Sequence, residues 1–279
     1  MLSYQHTYHA GNYADVIKHV TLTSLLNHMK SKDKPLLYLE THSGRGVYDL
    51  HDKHALKTGE ARQGIELLWA NRHQLPAVFS SYIQRISDLN QSNVLRYYPG
   101  SPCLAINTLR SCDRMVCAEL HPAEFAALQK LPHRGKRVLY RHSDGIAELK
   151  ALLPPVERRA LILIDPSYEV KSDYRQIPQA MKAAYSRFAT GVYCVWYPIV
   201  DKQHHEQLLR GLKNVGASDN LRIEFNLAAH DLVGMKGCGL WVINPPYVLA
   251  AELKTALEFF KRLFNPGRAS YLIDCLTDP

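Results

Sequence analysis

The sequence predicts an α/β protein built around a doubly wound, parallel sheet. Short apolar runs alternate with amphipathic helical patterns along most of the chain, as is typical of parallel strands joined by helical crossovers. The run Leu161 to Ile164 is apolar at four consecutive positions, which favours a strand covered on both faces. Acidic residues close three successive predicted strands. Because the carboxyl ends of strands form the ligand-binding edge of such sheets, we expect a ligand there.

The predicted elements follow in order along the chain. Asn12 can cap a first helix over 13–29, and Asp15 falls in its first turn. Strands are predicted over 36–40, 114–119, 137–140, 161–165, 191–197, 221–227 and 239–243, with further helices over 122–130 and 146–152. The segment 47–98 differs, because it shows the helical patterns 64–72 and 77–90 and little that resembles a buried strand. We expect one domain over 1–279 that contains an inserted helical subdomain over 47–98.

Composition argues against several classes of protein and favours a polyanionic partner. The 279 residues are 46% apolar, enough for a sizeable core, and carry a formal net charge of +8. No apolar run approaches the roughly 18 to 20 residues of a membrane span, and the first residues show no signal-peptide pattern. The six cysteines form no C-x-x-C pair, so no cysteine zinc site is indicated. We expect a cytoplasmic protein with no membrane association and no obligate protein partner.

The predicted strand end at Asp165 suits an amine-bearing aromatic ring. Pro166 fixes its own φ and lacks a backbone donor, so the chain is expected to leave the sheet there. The Asp165 carboxylate and the Pro166 carbonyl are then two acceptors at the ligand-binding edge, and Tyr168 offers a stacking face. Two acceptors beside an aromatic ring would suit the exocyclic amino group of a nucleobase.

Other polar residues are expected at the same edge. Glu119 and Asp144 end the two preceding predicted strands, although each could be only a helix cap or a turn former. Glu40 leads into a turn that contains Gly44 and Gly46. This turn lacks the fuller G-x-G-x-x-G of dinucleotide-binding proteins, so an ordinary strand-to-helix turn explains it as well as a cofactor site does.

Two sets of motifs resemble known enzymes. Asp165-Pro166-Ser167-Tyr168 is similar to the Asp/Asn-Pro-Pro-aromatic motif of amino methyltransferases that use S-adenosylmethionine. A more specific resemblance, to the RlmJ family, is carried by Tyr4-x-His6-x-x-His9-Ala10-Gly11-Asn12-x-Ala14-Asp15-Val16-x-Lys18-His19, Leu37-Tyr38-Leu39-Glu40-Thr41-His42 and Tyr97-Tyr98-Pro99-Gly100-Ser101-Pro102. This resemblance covers essentially the whole chain and implies a Rossmann-like class I methyltransferase fold with a helical insertion. It also implies S-adenosylmethionine as cofactor, S-adenosylhomocysteine as product and no metal.

The implied substrate is the N6 amino group of an adenine in 23S ribosomal RNA, adenine 2030 in the family. Asp165 and Pro166 would accept hydrogen bonds from N6 of the flipped-out base, Tyr168 would stack on it, and Tyr4 would contact the base or lie beside it. Cofactor contacts are implied for Lys18, His19, His42, Ser101, Glu119, Asp144, Gly145 and Asp165. Lys18 could pair with the methionine carboxylate, and Glu119 could accept from ribose hydroxyls. The hydrogen bonds to N6 would redirect a lone pair that is otherwise delocalised into the ring.

Two departures bear on the catalytic motif. Ser167 stands where the motif has its second proline, and we expect activity to be retained with a modest loss because the two acceptors come from residues 165 and 166. The segment Asn244-Pro245-Pro246-Tyr247 matches the motif more literally. It follows several further predicted elements, however, so Asp165 is favoured over Asn244 as the catalytic residue.

Other residues permit alternative interpretations. Cys103 follows a proline, as does the nucleophile of cytosine C5 methyltransferases, although a buried cysteine at a helix start is favoured. The histidines His6, His9 and His19 could hold a metal, although hydrogen-bonded packing is favoured for His6 and His9. The pair Trp196-Tyr197 could be a second stacking surface or simply part of a core strand. Two further functions stay open, a DNA adenine N6-methyltransferase and a non-catalytic RNA-binding protein.

Overall fold

The computed structural model describes residues 5–91, 93–133, 135–227, 235–264 and 267–277. The strands of these residues are β1 (Leu37–Glu40), β2 (Val47–Asp49), β3 (Tyr97–Pro99), β4 (Arg114–Ala118), β5 (Val138–Arg141), β6 (Ala160–Ile164), β7 (Val192–Ile199), β8 (Asp219–Leu227), β9 (Gly237–Ile243) and β10 (Ala269–Thr277). Eight of them form one sheet in the order β10-β8-β9-β7-β6-β1-β4-β5. The chain therefore winds outward from β1 in both directions, which confirms the predicted doubly wound, Rossmann-like sheet.

The helices cover both faces of this sheet. In chain order they are α1 (Tyr13–Lys30), α2 (Lys53–Thr58), α3 (Ile65–Ala70), α4 (Ser80–Asn90), α5 (Ser101–Ile106), α6 (Pro122–Leu128), α7 (Gly145–Leu152), α8 (Asp173–Arg187), α9 (Lys202–Lys213) and α10 (Leu249–Arg262). In β6, Leu161 and Leu163 pack into the core beneath α1 and α10, while Ile162 and Ile164 pack into the core beneath α8 and α9. The continuous apolar run is therefore explained by burial on both faces.

The expectation of a fully parallel sheet is wrong for one half of it. Strands β5, β4, β1, β6 and β7 are parallel, whereas β9 pairs antiparallel with both β7 and β8, and β10 pairs antiparallel with β8. A strand that is covered on both faces has the same apolar pattern in either direction, so periodicity does not reveal the direction. The edge strand β10 was not predicted.

The segment 47–98 contains α2, α3 and α4, and also the antiparallel pair β2–β3, which the sequence did not predict. Its position relative to α1 is fixed by a close backbone contact. Ile65 N donates to Gly11 O at 2.8 Å, and a Cβ at Gly64 would lie 2.1 Å from that same oxygen. Glycine at position 64 thus allows this segment to approach the start of α1. Within the described ranges, no helix is long and apolar enough to cross a membrane.

Candidate functional site

A cavity of about 710 Å³ opens at the carboxyl edge of the parallel strands. Its walls are the turns that follow β1, β4, β5 and β6, the first turns of α1, and residues 58–60 and 63 of the segment between β2 and β3. Of the residues implicated by sequence, it brings together Lys18, His19, His42, Ser101, Glu119, Asp144, Gly145, Asp165, Pro166 and Tyr168. Tyr4 lies outside the described residues.

Glu40, at the end of β1, lies buried beneath the residues that line the cavity. Its side chain is fully buried and accepts hydrogen bonds from the hydroxyls of Tyr38, at 2.9 Å, and Ser101. Burial raises the pKa of Glu40 to about 8. The Ser101 hydroxyl, expected to contact a cofactor, is thus directed towards a buried carboxyl group, although Ser101 itself lines the cavity.

Glu119, at the end of β4, shapes the glycine turn after β1. One carboxylate oxygen accepts from Gly44 N and the other from His121 N, each at 2.7 Å. Gly44 has a φ of 59°, in the left-handed region that favours glycine. Because a carboxylate offers about four acceptor positions, Glu119 can still accept from a ligand. Burial raises its pKa.

The turn after β5 packs directly against the turn after β1. Asp144 caps α7, accepting a hydrogen bond from Ile146 N at 2.9 Å. A Cβ at Gly145 would lie 1.9 Å from the Thr41 carbonyl oxygen. The glycine expected at a ligand contact is therefore also required by the backbone packing of the site.

His19 is buried and His42 is half-buried, and both imidazoles are neutral at pH 7. Burial lowers the pKa of His19 to about 3 and that of His42 to about 4. His19 Nδ1 lies 2.7 Å from the hydroxyl of Tyr98, which in turn lies 2.8 Å from that of Tyr82. Its Nε2 is buried and has no hydrogen-bond partner among the described residues. Both imidazoles can donate to or accept from a ligand without carrying charge.

Lys18 lies between two carboxylates. Its Nζ is 2.9 Å from Asp15 Oδ1 and 2.7 Å from Asp165 Oδ2, and its side chain is 6% exposed. Burial alone would lower the pKa of Lys18, but Asp15 and Asp165 raise it well above its ordinary value. Lys18 is expected to pair with a ligand carboxylate, but its ammonium group already binds the Asp165 carboxylate. Asp165 would therefore compete with the ligand for Lys18.

The turn after β6 presents Asp165 and Pro166 to the cavity. Tyr168 has a φ of 54°, and its hydroxyl donates to Trp196 O at 3.1 Å. Its ring is 6% exposed and packs 4.8 Å from that of Tyr174, measured between centroids. The Tyr168 ring, which is expected to stack on a base, is thus already packed against the Tyr174 side chain, although Tyr168 still lines the cavity. Trp196 also lines the cavity, whereas Tyr197 is fully buried and donates to Glu224.

The rival motif at Asn244 lies at the opposite edge of the sheet. Strand β9 runs antiparallel to β7, and β7 runs parallel to β6, so the carboxyl ends of β9 and β6 point in opposite directions. The Asn244 amide donates to Ala189 O and Gly191 O, each at 2.7 Å. Asn244 therefore closes a turn away from the cavity.

The alternative interpretations of cysteine and histidine can be compared with their surroundings. Cys103 is buried in the first turn of α5, and burial raises its pKa to about 11. His6 contacts Asp15, His9 contacts Glu60, and His19 contacts Tyr98. In the parts of the chain that the structure describes, no group of three His, Cys, Asp or Glu side chains could hold a metal ion.

Sequence reasoning missed several residues of this site. Glu60 lines the cavity from the segment between β2 and β3 and binds both His9 and Asn12. Asp15 was interpreted only as a helix-start residue, yet it is buried in the cavity wall. A signal for this role is its spacing of three residues from Lys18, which places both on the same face of a helix.

Comparison with known proteins shows the family to which this chain belongs. The profile of the family described as "Ribosomal RNA large subunit methyltransferase D, RlmJ" matches residues 33–277. Ribosomal RNA large subunit methyltransferase J of Escherichia coli strain K12 is 43% identical over 96% of this chain and 95% of that protein. The protein of the same name from Haemophilus influenzae is 41% identical over 99% of both chains. A crystal structure from Legionella pneumophila is 54% identical, with a TM-score of 0.91 over 95% of this chain and 98% of that one. The chain belongs to the RlmJ family of ribosomal RNA large subunit methyltransferases.

Proposed function

We propose that the protein transfers a methyl group from S-adenosylmethionine to the N6 amino group of an adenine in 23S ribosomal RNA, adenine 2030 by family resemblance. The observation that carries the proposal is the position of Asp165 and Pro166. They directly follow β6, the strand next to β1, and line a cavity that is also lined by the turns after β4 and β5. Two acceptors there suit an amino group, and neighbouring carboxylates suit a nucleoside cofactor.

The residues of the cavity fit S-adenosylmethionine. Glu119 has free acceptor positions for ribose hydroxyls, and the Asp144–Gly145 turn can lie along the adenine ring. His19, whose Nε2 has no partner among the described residues, can bind a polar group of the methionine portion. The bound cofactor supplies an activated methyl group on a sulfonium.

Lys18 prepares Asp165 for the substrate amino group. The ammonium engages Oδ2 of Asp165, which fixes the carboxylate and leaves Oδ1 to accept from N6. The Pro166 carbonyl is the second acceptor, so two hydrogen bonds orient the N6 lone pair away from the ring. Asp165 can then take the proton that the methylated nitrogen releases. Proximity and alignment supply most of the acceleration in this scheme.

The substrate base must leave its stack to reach this cavity. Base flipping costs a few kcal/mol, and a splayed RNA loop lowers that cost. Stacking on an aromatic ring returns about 1 to 3 kcal/mol per base. Tyr168 and Trp196 both line the cavity and are the candidates for that contact. The formal charge of +8 supports a polyanionic substrate.

Two experiments test this function against its alternatives. A non-catalytic RNA-binding protein would not bind S-adenosylhomocysteine, so measurable heat of binding in calorimetry argues for the enzyme. Incubation with labelled S-adenosylmethionine and either a 23S RNA transcript or duplex DNA then separates the two adenine methyltransferases. We expect label in N6-methyladenosine of the RNA, and label in DNA alone would overturn the proposal.

A further inference from the structure

The buried carboxylate of Asp15 is not used in the chemistry proposed above. It lies in the first turn of α1, with 2% of its surface exposed. Its Oδ2 accepts from Gly11 N at 2.8 Å and lies 2.9 Å from His6 Nε2, while its Oδ1 lies 2.9 Å from Lys18 Nζ. Burial alone would raise the pKa of Asp15, but His6 and Lys18 hold it well below its ordinary value. Asp15 is therefore a buried carboxylate that remains ionised.

Asp15 and Asp165 share one ammonium group. Asp15 precedes Lys18 by three residues in α1, whereas Asp165 is 147 residues away in sequence. The orientation of Asp15 is set locally, because Asn12 Oδ1 accepts from Asp15 N at 2.9 Å as it caps the helix. Asp15 thus fixes the ammonium from the helix side, and the ammonium in turn fixes Asp165.

The charges of this cluster do not cancel. When the His6 imidazole is neutral, two carboxylates and one ammonium leave a formal charge of one negative unit, held in a wall of the cavity where water is largely excluded. An interaction between charges is stronger in such a site than in water. Without Asp15, Lys18 would neutralise Asp165 alone, and the wall would carry no net charge.

We propose that Asp15 is a positioning residue: Asp15 holds Lys18 in place, and Lys18 in turn holds Asp165. Asp15 also leaves the Asp15–Lys18–Asp165 cluster with a net negative charge, which favours a cationic cofactor. The proposal rests on the function proposed above. The cofactor carries a positive sulfonium and the product S-adenosylhomocysteine carries a neutral thioether. The cluster therefore favours binding of the cofactor relative to its product, which assists exchange after each turnover.

A binding ratio tests this role without turnover. Sinefungin carries a protonated amine in place of the methylated sulfonium, so its affinity depends on the charge of the cavity wall. S-adenosylhomocysteine has a neutral thioether at that position and serves as the uncharged reference. We expect Asp15→Asn to reduce the preference for sinefungin over S-adenosylhomocysteine by about tenfold in calorimetry at pH 8, above the ordinary pKa of imidazoles. Steady-state kinetics should show a lower kcat with a nearly unchanged KM for RNA.

A matched control separates this effect from lost stability. Asp113 is a buried carboxylate paired with Arg110 away from the cavity, so Asp113→Asn should lower Tm while leaving kcat and the binding ratio unchanged. If Asp15→Asn lowers Tm but leaves the ratio at the wild-type value, Asp15 is merely structural and the proposal is wrong. Failure of the wild type to bind S-adenosylhomocysteine at all would instead refute the proposed function.

A second comparison covers the case in which Asp15→Asn does not fold. The double variant Asp15→Asn/Lys18→Met leaves no unpaired ammonium, and it differs from Lys18→Met only at Asp15. We expect the double variant to prefer sinefungin about tenfold less than Lys18→Met does. Equal ratios in these two variants would overturn the proposal.

Discussion

Tyr98→Phe should disturb the site through a single hydroxyl group. That hydroxyl bridges His19 Nδ1, at 2.7 Å, and the Tyr82 hydroxyl, at 2.8 Å, and all three side chains are buried. Tyr82 has no other hydrogen-bond acceptor among the described residues, so its proton goes to Tyr98 and the Tyr98 proton goes to His19. The neutral imidazole then carries its own proton on Nε2 and can donate it to a ligand.

The magnitude follows from the groups that are left unpaired. Phenylalanine at position 98 leaves His19 Nδ1 and the Tyr82 hydroxyl buried without a partner, which costs about 1 to 3 kcal/mol each. We expect a loss of about 2 to 6 kcal/mol in the free energy of unfolding, measured by urea denaturation. S-adenosylhomocysteine should bind about tenfold more weakly, equivalent to about 1.4 kcal/mol, because the His19 ring is no longer held in one orientation.

Tyr82→Phe is the matched control for this prediction. It removes the outer hydroxyl only, so Tyr98 can still donate to His19. Stability should fall by about 1 kcal/mol, and affinity for S-adenosylhomocysteine should stay at the wild-type value. If Tyr98→Phe binds S-adenosylhomocysteine as tightly as Tyr82→Phe does, the assignment of His19 as an oriented donor is refuted.

Three further predictions concern packing, pH and the motif. Gly145→Ala places a Cβ 1.9 Å from the Thr41 carbonyl and should lower stability by about 2 to 4 kcal/mol in urea, together with cofactor affinity in calorimetry. The hydrogen bond to Glu60 raises the pKa of His9, so this pair stabilises the fold fully below pH 6.5 and loses that effect as pH rises through the raised pKa. The difference in unfolding free energy between wild type and His9→Gln should therefore shrink from pH 6 to pH 9; an unchanged difference would contradict this. Ser167→Pro should retain methyl transfer in a labelling assay, and our account of the turn fails if proline there abolishes it.

Sequence could predict the sheet and the ligand-binding edge because both depend on local patterns. The apolar run of β6 was enough to predict a strand buried on both faces, and the residue after it lies at the cavity. Asn12 was identified as a helix cap, and its side chain does accept from Asp15 N. These features depend on residues that are close in sequence, where periodicity and capping are reliable.

The contacts that set the chemistry of the site depend on long-range packing. Lys18 meets Asp165 across 147 residues, and Ser101 meets Glu40 across 61. Side-chain partners at such separations leave no periodic signal. The sequence also did not reveal that β9 runs antiparallel, because a strand covered on both faces has the same apolar pattern in either direction. This direction is what places Asn244 at the far edge.

The most direct test of the central claim compares Asp165→Asn with Asn244→Ala in transfer of labelled methyl groups to a 23S RNA transcript. If Asp165 orients N6 and receives its proton, Asp165→Asn should lower the initial rate by about 100-fold or more. Asn244→Ala should lose the two hydrogen bonds that close its turn, but keep a rate within about twofold of wild type under folded conditions. Full activity in Asp165→Asn, with activity lost in a folded Asn244→Ala, would contradict the account.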